Sequence, residues 1–172
     1  MLLDICDAAI NLAPGGLANS VIVMSSALRI VVLVGLPGSG KSTYVERMGA
    51  PVLSSDAIRG LLADDPTDQT IHARVFATLR HMLRQRLALG RPVTCIDATN
   101  LTPRERRAYL RMGELHGASV EAVFFDVPLA VCLERNHGRD RVVPDDVVER
   151  MAAKLRPPTV EEGFAKVTVI KE

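Results

Sequence analysis

Gly35-Leu36-Pro37-Gly38-Ser39-Gly40-Lys41-Ser42-Thr43 fits the pattern G-x-x-x-x-G-K-[ST], with Gly35, Gly40, Lys41 and Ser42 at its defining positions. The preceding run, Arg29-Ile30-Val31-Val32-Leu33-Val34, is apolar and β-branched, as a parallel strand buried on both faces must be. The following run, Ser42 to Met48, can carry a helix. Strand, glycine loop and helix therefore arrive in the order that a phosphate-binding loop requires.

The residue types follow from the chemistry of a polyphosphate. Glycines let the backbone curl so that successive N–H groups point inward at a helix N-terminus, forming an anion nest. In such a loop Lys41 supplies a cation for the β- and γ-phosphates, and the Ser42 hydroxyl can ligate Mg²⁺. Pro37, Gly38, Ser39 and Thr43 complete the nucleotide-binding set, so ATP with Mg²⁺ is the expected ligand pair.

A chain of 172 residues suits one domain with a substantial core, and a net charge of +1 gives no overall acidic or basic bias. No apolar run is long enough to span a bilayer. Cys6, Cys95 and Cys132 have no metal-type spacing; Cys95 and Cys132 read as packing residues, which fits a reducing cytoplasm. His72, His81, His116 and His137 likewise lack metal spacing and read as surface or packing residues. Residues 1–23 lack the basic start of a secretory signal and are broken by Pro14-Gly15-Gly16. They are expected to be a loosely held or artefactual extension, with the functional domain over 24–172.

Strand and helix patterns alternate through that domain, which argues for a parallel α/β sheet. Strands are expected at Pro51–Ser54, Pro92–Ile96, Val120–Val127 and Val167–Ile170. Helices are expected over Asp56–Leu62, Thr70–Leu89, Pro103–Leu115, Pro128–Arg135 and Pro144–Leu155, with a charged loop from Asn136 to Val143. Thr102-Pro103-Arg104-Glu105 is a capping box with proline at the first helical position.

Ligands of open α/β sheets sit beyond the carboxyl ends of the strands. The second strand delivers Asp56, with Arg59 one helical turn later; the third delivers Asp97. Asp97 is placed to hold Mg²⁺ or its water shell beside Ser42. A carboxylate such as Asp56 can take the proton of an attacking hydroxyl while Arg59 clamps an acceptor phosphate, although a local surface ion pair has the same spacing. Arg135, Arg139 and Arg141 surround Asn136-His137-Gly138 and can close over ATP as a lid at about 136–143. Arginines also crowd the stretch from Arg74 to Arg111, opposed only by Asp97 and Glu105; such residues track a phosphate backbone or are simply solvated.

GLPGSGKST, SSDAIRG, DATNLTPRERR, FFDVP and ERNHGRDRVVPDDVVERM together resemble the P-loop polynucleotide 5′-kinases, from Val31 to Lys154. The resemblance extends to the kinase module of bacterial RNA end-healing enzymes and to the phage enzyme's kinase domain. It implies a three-layer P-loop NTPase fold: a parallel sheet of about five strands in adenylate-kinase-like order with a helical lid. It further implies that Asp56 is the general base, that Arg59 contacts the acceptor and that Arg139 and its neighbours grip ATP, with catalysis resting on Lys41, Asp56, Arg59 and Arg139. The lid spacing R-N-H-G-R-D-R is one residue tighter than in the bacterial module. The expected reaction moves the γ-phosphate of ATP onto the 5′-hydroxyl end of RNA or DNA. A small-molecule or seryl-tRNA kinase is the alternative acceptor reading, and a non-kinase ATPase switch the alternative class.

Overall fold

A computed structural model describes residues 27–139 and 141–171, so the expected extension at 1–23, with Cys6, lies outside the described residues. β1 (Arg29–Val34) is the central strand, flanked by β3 (Val93–Asp97) and β4 (Ser119–Asp126). β2 (Val52–Ser54) and β5 (Lys166–Lys171) form the outer positions, giving the order β2-β3-β1-β4-β5. Every pairing is parallel. This is the expected P-loop NTPase architecture.

Helices return the chain after each strand: α1 (Lys41–Met48), α2 (Ser55–Ala63), α3 (His72–Ala88), α4 (Pro103–His116), α5 (Leu129–His137) and α6 (Asp145–Lys154). β1 shows why they cover both faces. Ile30, Val32 and Val34 point into a core shared with Val75, Leu79, Leu83 and Leu87 of α3 and with Tyr109 of α4. Val31 and Leu33 point the other way, against Val45 of α1 and against Cys95, Val123 and Phe125. Alternation on a strand buried on both faces thus produces three layers. The α3 residues recur every four positions and are essentially inaccessible; each such side chain contributes about 1.5–3 kcal/mol on burial.

Local signals set the helix ends. Thr102 accepts from the Glu105 amide at 3.4 Å while Glu105 accepts from the Thr102 amide at 3.2 Å, so the capping box closes α4 in both directions. α3 starts at His72 rather than Thr70, because the Thr70 amide and hydroxyl are both taken by Asp68 Oδ1, at 2.7 and 2.6 Å. α5 continues past its expected end at Arg135 to His137.

Parallel strands bring their carboxyl ends to one edge. Register pairs Ser54 of β2 directly with Asp97 of β3. The same edge receives the glycine loop from β1, and Gly35 N–H donates to the Thr99 carbonyl at 3.1 Å. Asn100 braces this junction: it is 2% exposed, adopts φ +48°, and donates through Nδ2 to the Leu33 carbonyl at 2.7 Å.

Two arginines of the arginine-rich stretch are taken up inside the fold. Arg106 is fully buried, donating through Nε to Glu162 Oε2 at 2.9 Å and through Nη1 to the carbonyls of Asn100 and Arg156 at 3.0 Å. Arg86 donates to Thr94 Oγ1 and the Val93 carbonyl. Cys95 and Cys132 are both buried, as packing residues. Among the described residues, no helix is long and apolar enough to cross a membrane.

Candidate active site

The glycine loop is shaped by close approach. Gly38 has φ +80°, and a Cβ there would lie 2.2 Å from the Cys132 carbonyl oxygen of α5. Only glycine tolerates both the left-handed backbone and that proximity. Gly40, at φ +91°, precedes α1, whose first turn has no side-chain cap. Its N–H groups therefore face the cavity as anion donors.

Lys41 is 8% exposed and folds back over the loop. Its Nζ donates to the carbonyls of Leu36 at 2.6 Å and Gly35 at 3.0 Å, and to Ser39 Oγ at 3.4 Å. Burial brings its pKa down to about 8; the Asp97 charge acts against this, and Arg139 adds to it. Ser42 Oγ donates to Asp97 Oδ2 at 3.3 Å. Burial raises the Asp97 carboxyl, opposed by Lys41 and by the Ser42 hydrogen bond.

Opposite this group, Asp56 receives two guanidinium groups on a single oxygen. Arg59 Nη1 reaches Oδ1 at 2.9 Å from the same helix, and Arg141 Nη1 reaches it at 2.5 Å from the loop after α5. Arg59 is 3% exposed, and among the described residues its Nε has no hydrogen-bond partner.

All of these line one cavity of about 1180 Å³. It contains the loop from Pro37 to Thr43, together with Asp56, Arg59, Asp97, Arg135, Arg139 and Arg141. Gly35 is not part of the lining; it lies buried behind the loop and meets Lys41 through its carbonyl. Arg135 belongs to the last turn of α5, as expected, while Arg139 and Arg141 follow the end of that helix. Asn136, expected within the lid loop, is fully buried in α5 and exchanges hydrogen bonds with the Val143 backbone at 2.6 and 3.1 Å. The segment is therefore short and stapled at its base, with a second fastening from His137 Nε2 to Asp145 at 2.8 Å.

The donor set fits a polyphosphate: amides at a helix start, a buried ammonium and several guanidinium groups. The Ser42 hydroxyl and Asp97 carboxylate are the oxygen ligands that suit Mg²⁺. Gln69, His72 and Phe76 also line the cavity. The sequence reading took His72 as a surface or packing residue and gave Gln69 and Phe76 no role, although the i, i+4 spacing of His72 and Phe76 was visible.

Residues 30–158 match the family described as an AAA domain. The chain belongs to that family. Its AAA domain has the fold of the small P-loop kinases. It superposes on a candidate kinase from Chloroflexus aurantiacus with a TM-score of 0.65 at 15% identity, covering 84% of this chain and 88% of that one. A chain of the Pnkp1/Rnl/Hen1 RNA repair complex gives 0.64 at 22% identity, covering 75% of this chain and 44% of that one. In sequence, the AAA domain is 21% identical over 135 residues to the L-seryl-tRNA(Sec) kinase of Methanococcus maripaludis, covering 75% of this chain and 53% of that protein. It is 28% identical over 145 residues to transcription factor bHLH140 of Arabidopsis thaliana, covering 80% of this chain. The chain thus spans 53% and 15% of the lengths of these two relatives.

Proposed function

We propose that this protein is a kinase that transfers the γ-phosphate of ATP to the 5′-hydroxyl end of RNA or DNA. The observation that carries the reading is the division of one cavity. Lys41, Ser42 and Asp97 gather on the glycine-loop side, and Asp56 with Arg59 on the α2 side. An ATPase that only switches between nucleotide states needs the first group alone. A carboxylate beside a buried arginine, across from a phosphate loop, is what transfer to a hydroxyl adds.

In this reading the loop amides and Lys41 hold the β- and γ-phosphates, while Arg135 and Arg139 grip them from the other side. Ser42 would hold Mg²⁺ directly and Asp97 through water; the ion supplies neutralisation of phosphate charge when bound. Arg59 anchors the acceptor. Asp56 takes the proton of the acceptor hydroxyl as that oxygen bonds to the γ-phosphorus, and the bond to the β–γ bridging oxygen breaks to release ADP. Catalysis is then mostly positioning and charge stabilisation.

The choice of a polynucleotide acceptor draws on the sequence resemblance and on the superposition with a chain of an RNA repair complex. The relative that is an L-seryl-tRNA(Sec) kinase supports the alternative acceptor, a hydroxyl carried on a tRNA, in place of a 5′ end. Incubation with γ-labelled ATP and 5′-hydroxyl oligonucleotides tests the assignment, with small hydroxyl compounds in parallel. Transfer to the oligonucleotides is expected, with acceptor affinity falling as salt rises. Transfer confined to small compounds would select the metabolite-kinase alternative.

A further inference from the structure

The α3 wall of the cavity carries two rings that the phosphotransfer steps leave unused. His72 and Phe76 lie one turn apart, and their centroids are 4.7 Å apart with the planes at 42°. Phe76 is half-buried against the main core, whereas His72 is exposed. Both line the cavity that holds Asp56 and Arg59.

The approach to these rings is held in place. Thr67 donates through its amide and hydroxyl to Asp65 Oδ1, both at 2.7 Å, and Thr70 does the same to Asp68. The His72 amide donates to the Gln69 carbonyl at 3.2 Å, which fixes the first turn of α3 relative to the loop. Packing against the core fixes Phe76.

Neither a sugar nor a serine side chain engaged at Asp56 has a π-face to lay on such rings. A nucleoside does, because its base projects beyond the ribose that carries the 5′-hydroxyl. We propose that His72 and Phe76 form the stacking platform for the base of the acceptor's terminal nucleoside, making the acceptor subsite specific for base-bearing ends. The inference rests on the polynucleotide reading above and sharpens it. Since every base has a π-face, the platform accepts all four bases with small preferences.

Steady-state kinetics with two matched 5′-hydroxyl oligonucleotides tests this, one with a normal terminal nucleoside and one with an abasic terminal residue. The wild-type protein is expected to show a KM for the abasic end higher by about tenfold, the scale of one base–aromatic stack. Phe76→Leu, which retains an apolar side chain of similar size, and His72→Ala, at an exposed position, should each shrink that ratio towards one. An unchanged ratio in both variants, or a rise in the KM for ATP in place of the acceptor, overturns the platform while leaving the kinase reading intact. Absence of phosphorylation of either oligonucleotide by a protein that binds ATP overturns the platform and the polynucleotide reading together.

Discussion

Arg141 Nη1 lies 2.5 Å from Asp56 Oδ1, the same oxygen that Arg59 Nη1 reaches at 2.9 Å. A residue from the loop after α5 therefore spans the cavity to a carboxylate on α2. The Asp56 side chain is 47% exposed, and ion pairs in such surroundings contribute about 0.2–1 kcal/mol. A bound phosphate can draw Arg141 away at that small cost and leave Asp56 to a hydroxyl. Arg59 does not have that freedom, because its side chain is only 4% exposed.

If Asp56 is the proton acceptor, Asp56→Ala lowers kcat by about 10²-fold or more and leaves the Kd for ATP unchanged. Isothermal titration with a non-hydrolysable ATP analogue, beside transfer kinetics, separates the two quantities. A variant with wild-type turnover would move the protein into the ATPase-switch class.

Lys41 gives the pH dependence of nucleotide binding. Its pKa is brought down to about 8 by burial, and a polyphosphate favours the charged form, so binding takes up a proton. Affinity is then fully present below pH 8 and falls by up to about tenfold per unit as pH rises through that value. Asp97 is the main charge holding the proton on Lys41. Asp97→Asn in metal-free buffer should consequently move the fall to lower pH. Equal profiles for the two proteins would show that the carboxylate does not act on Lys41.

The two left-handed glycines of the loop separate strain from crowding. Gly40→Ala adds a Cβ with nothing within 4 Å, whereas Gly38→Ala drives one into the Cys132 carbonyl. Both incur the left-handed penalty of about 1–2 kcal/mol, but only Gly38→Ala must also displace α5. Differential scanning calorimetry should show the larger loss of Tm for Gly38→Ala, with loss of nucleotide binding.

Glu162 holds the buried Arg106 guanidinium through both carboxylate oxygens. Glu162→Gln removes the charge and leaves a buried cation without its counter-ion, at a cost of about 3 kcal/mol. At about 2–4 °C per kcal/mol for a chain of this size, Tm should fall by about 10 °C. Urea denaturation gives an independent measure of the same loss.

Local rules made most of the frame readable in the sequence. The β-branched run before Gly35 and the capping box at Thr102 each depend on neighbours in sequence, and they specify strand and helix start. Strand ends then nominated Asp56 and Asp97, because a parallel sheet sends its ligand-facing residues to one edge. Residues whose behaviour depends on distant partners were not readable. Arg106 looks like any helical arginine until Glu162 and the Asn100 and Arg156 carbonyls close around it. Asn136 looks like a lid residue until its amide meets the Val143 backbone. Arg141 was expected over ATP, and nothing within its own segment shows that it reaches Asp56.

A single turnover with γ-labelled ATP and a 5′-hydroxyl oligonucleotide, followed by digestion of the product to mononucleotides, tests the central claim most directly. The account predicts label on the 5′ oxygen of the terminal residue, and its loss with Asp56→Ala. Label released only as inorganic phosphate, at the same rate in both proteins, would contradict it.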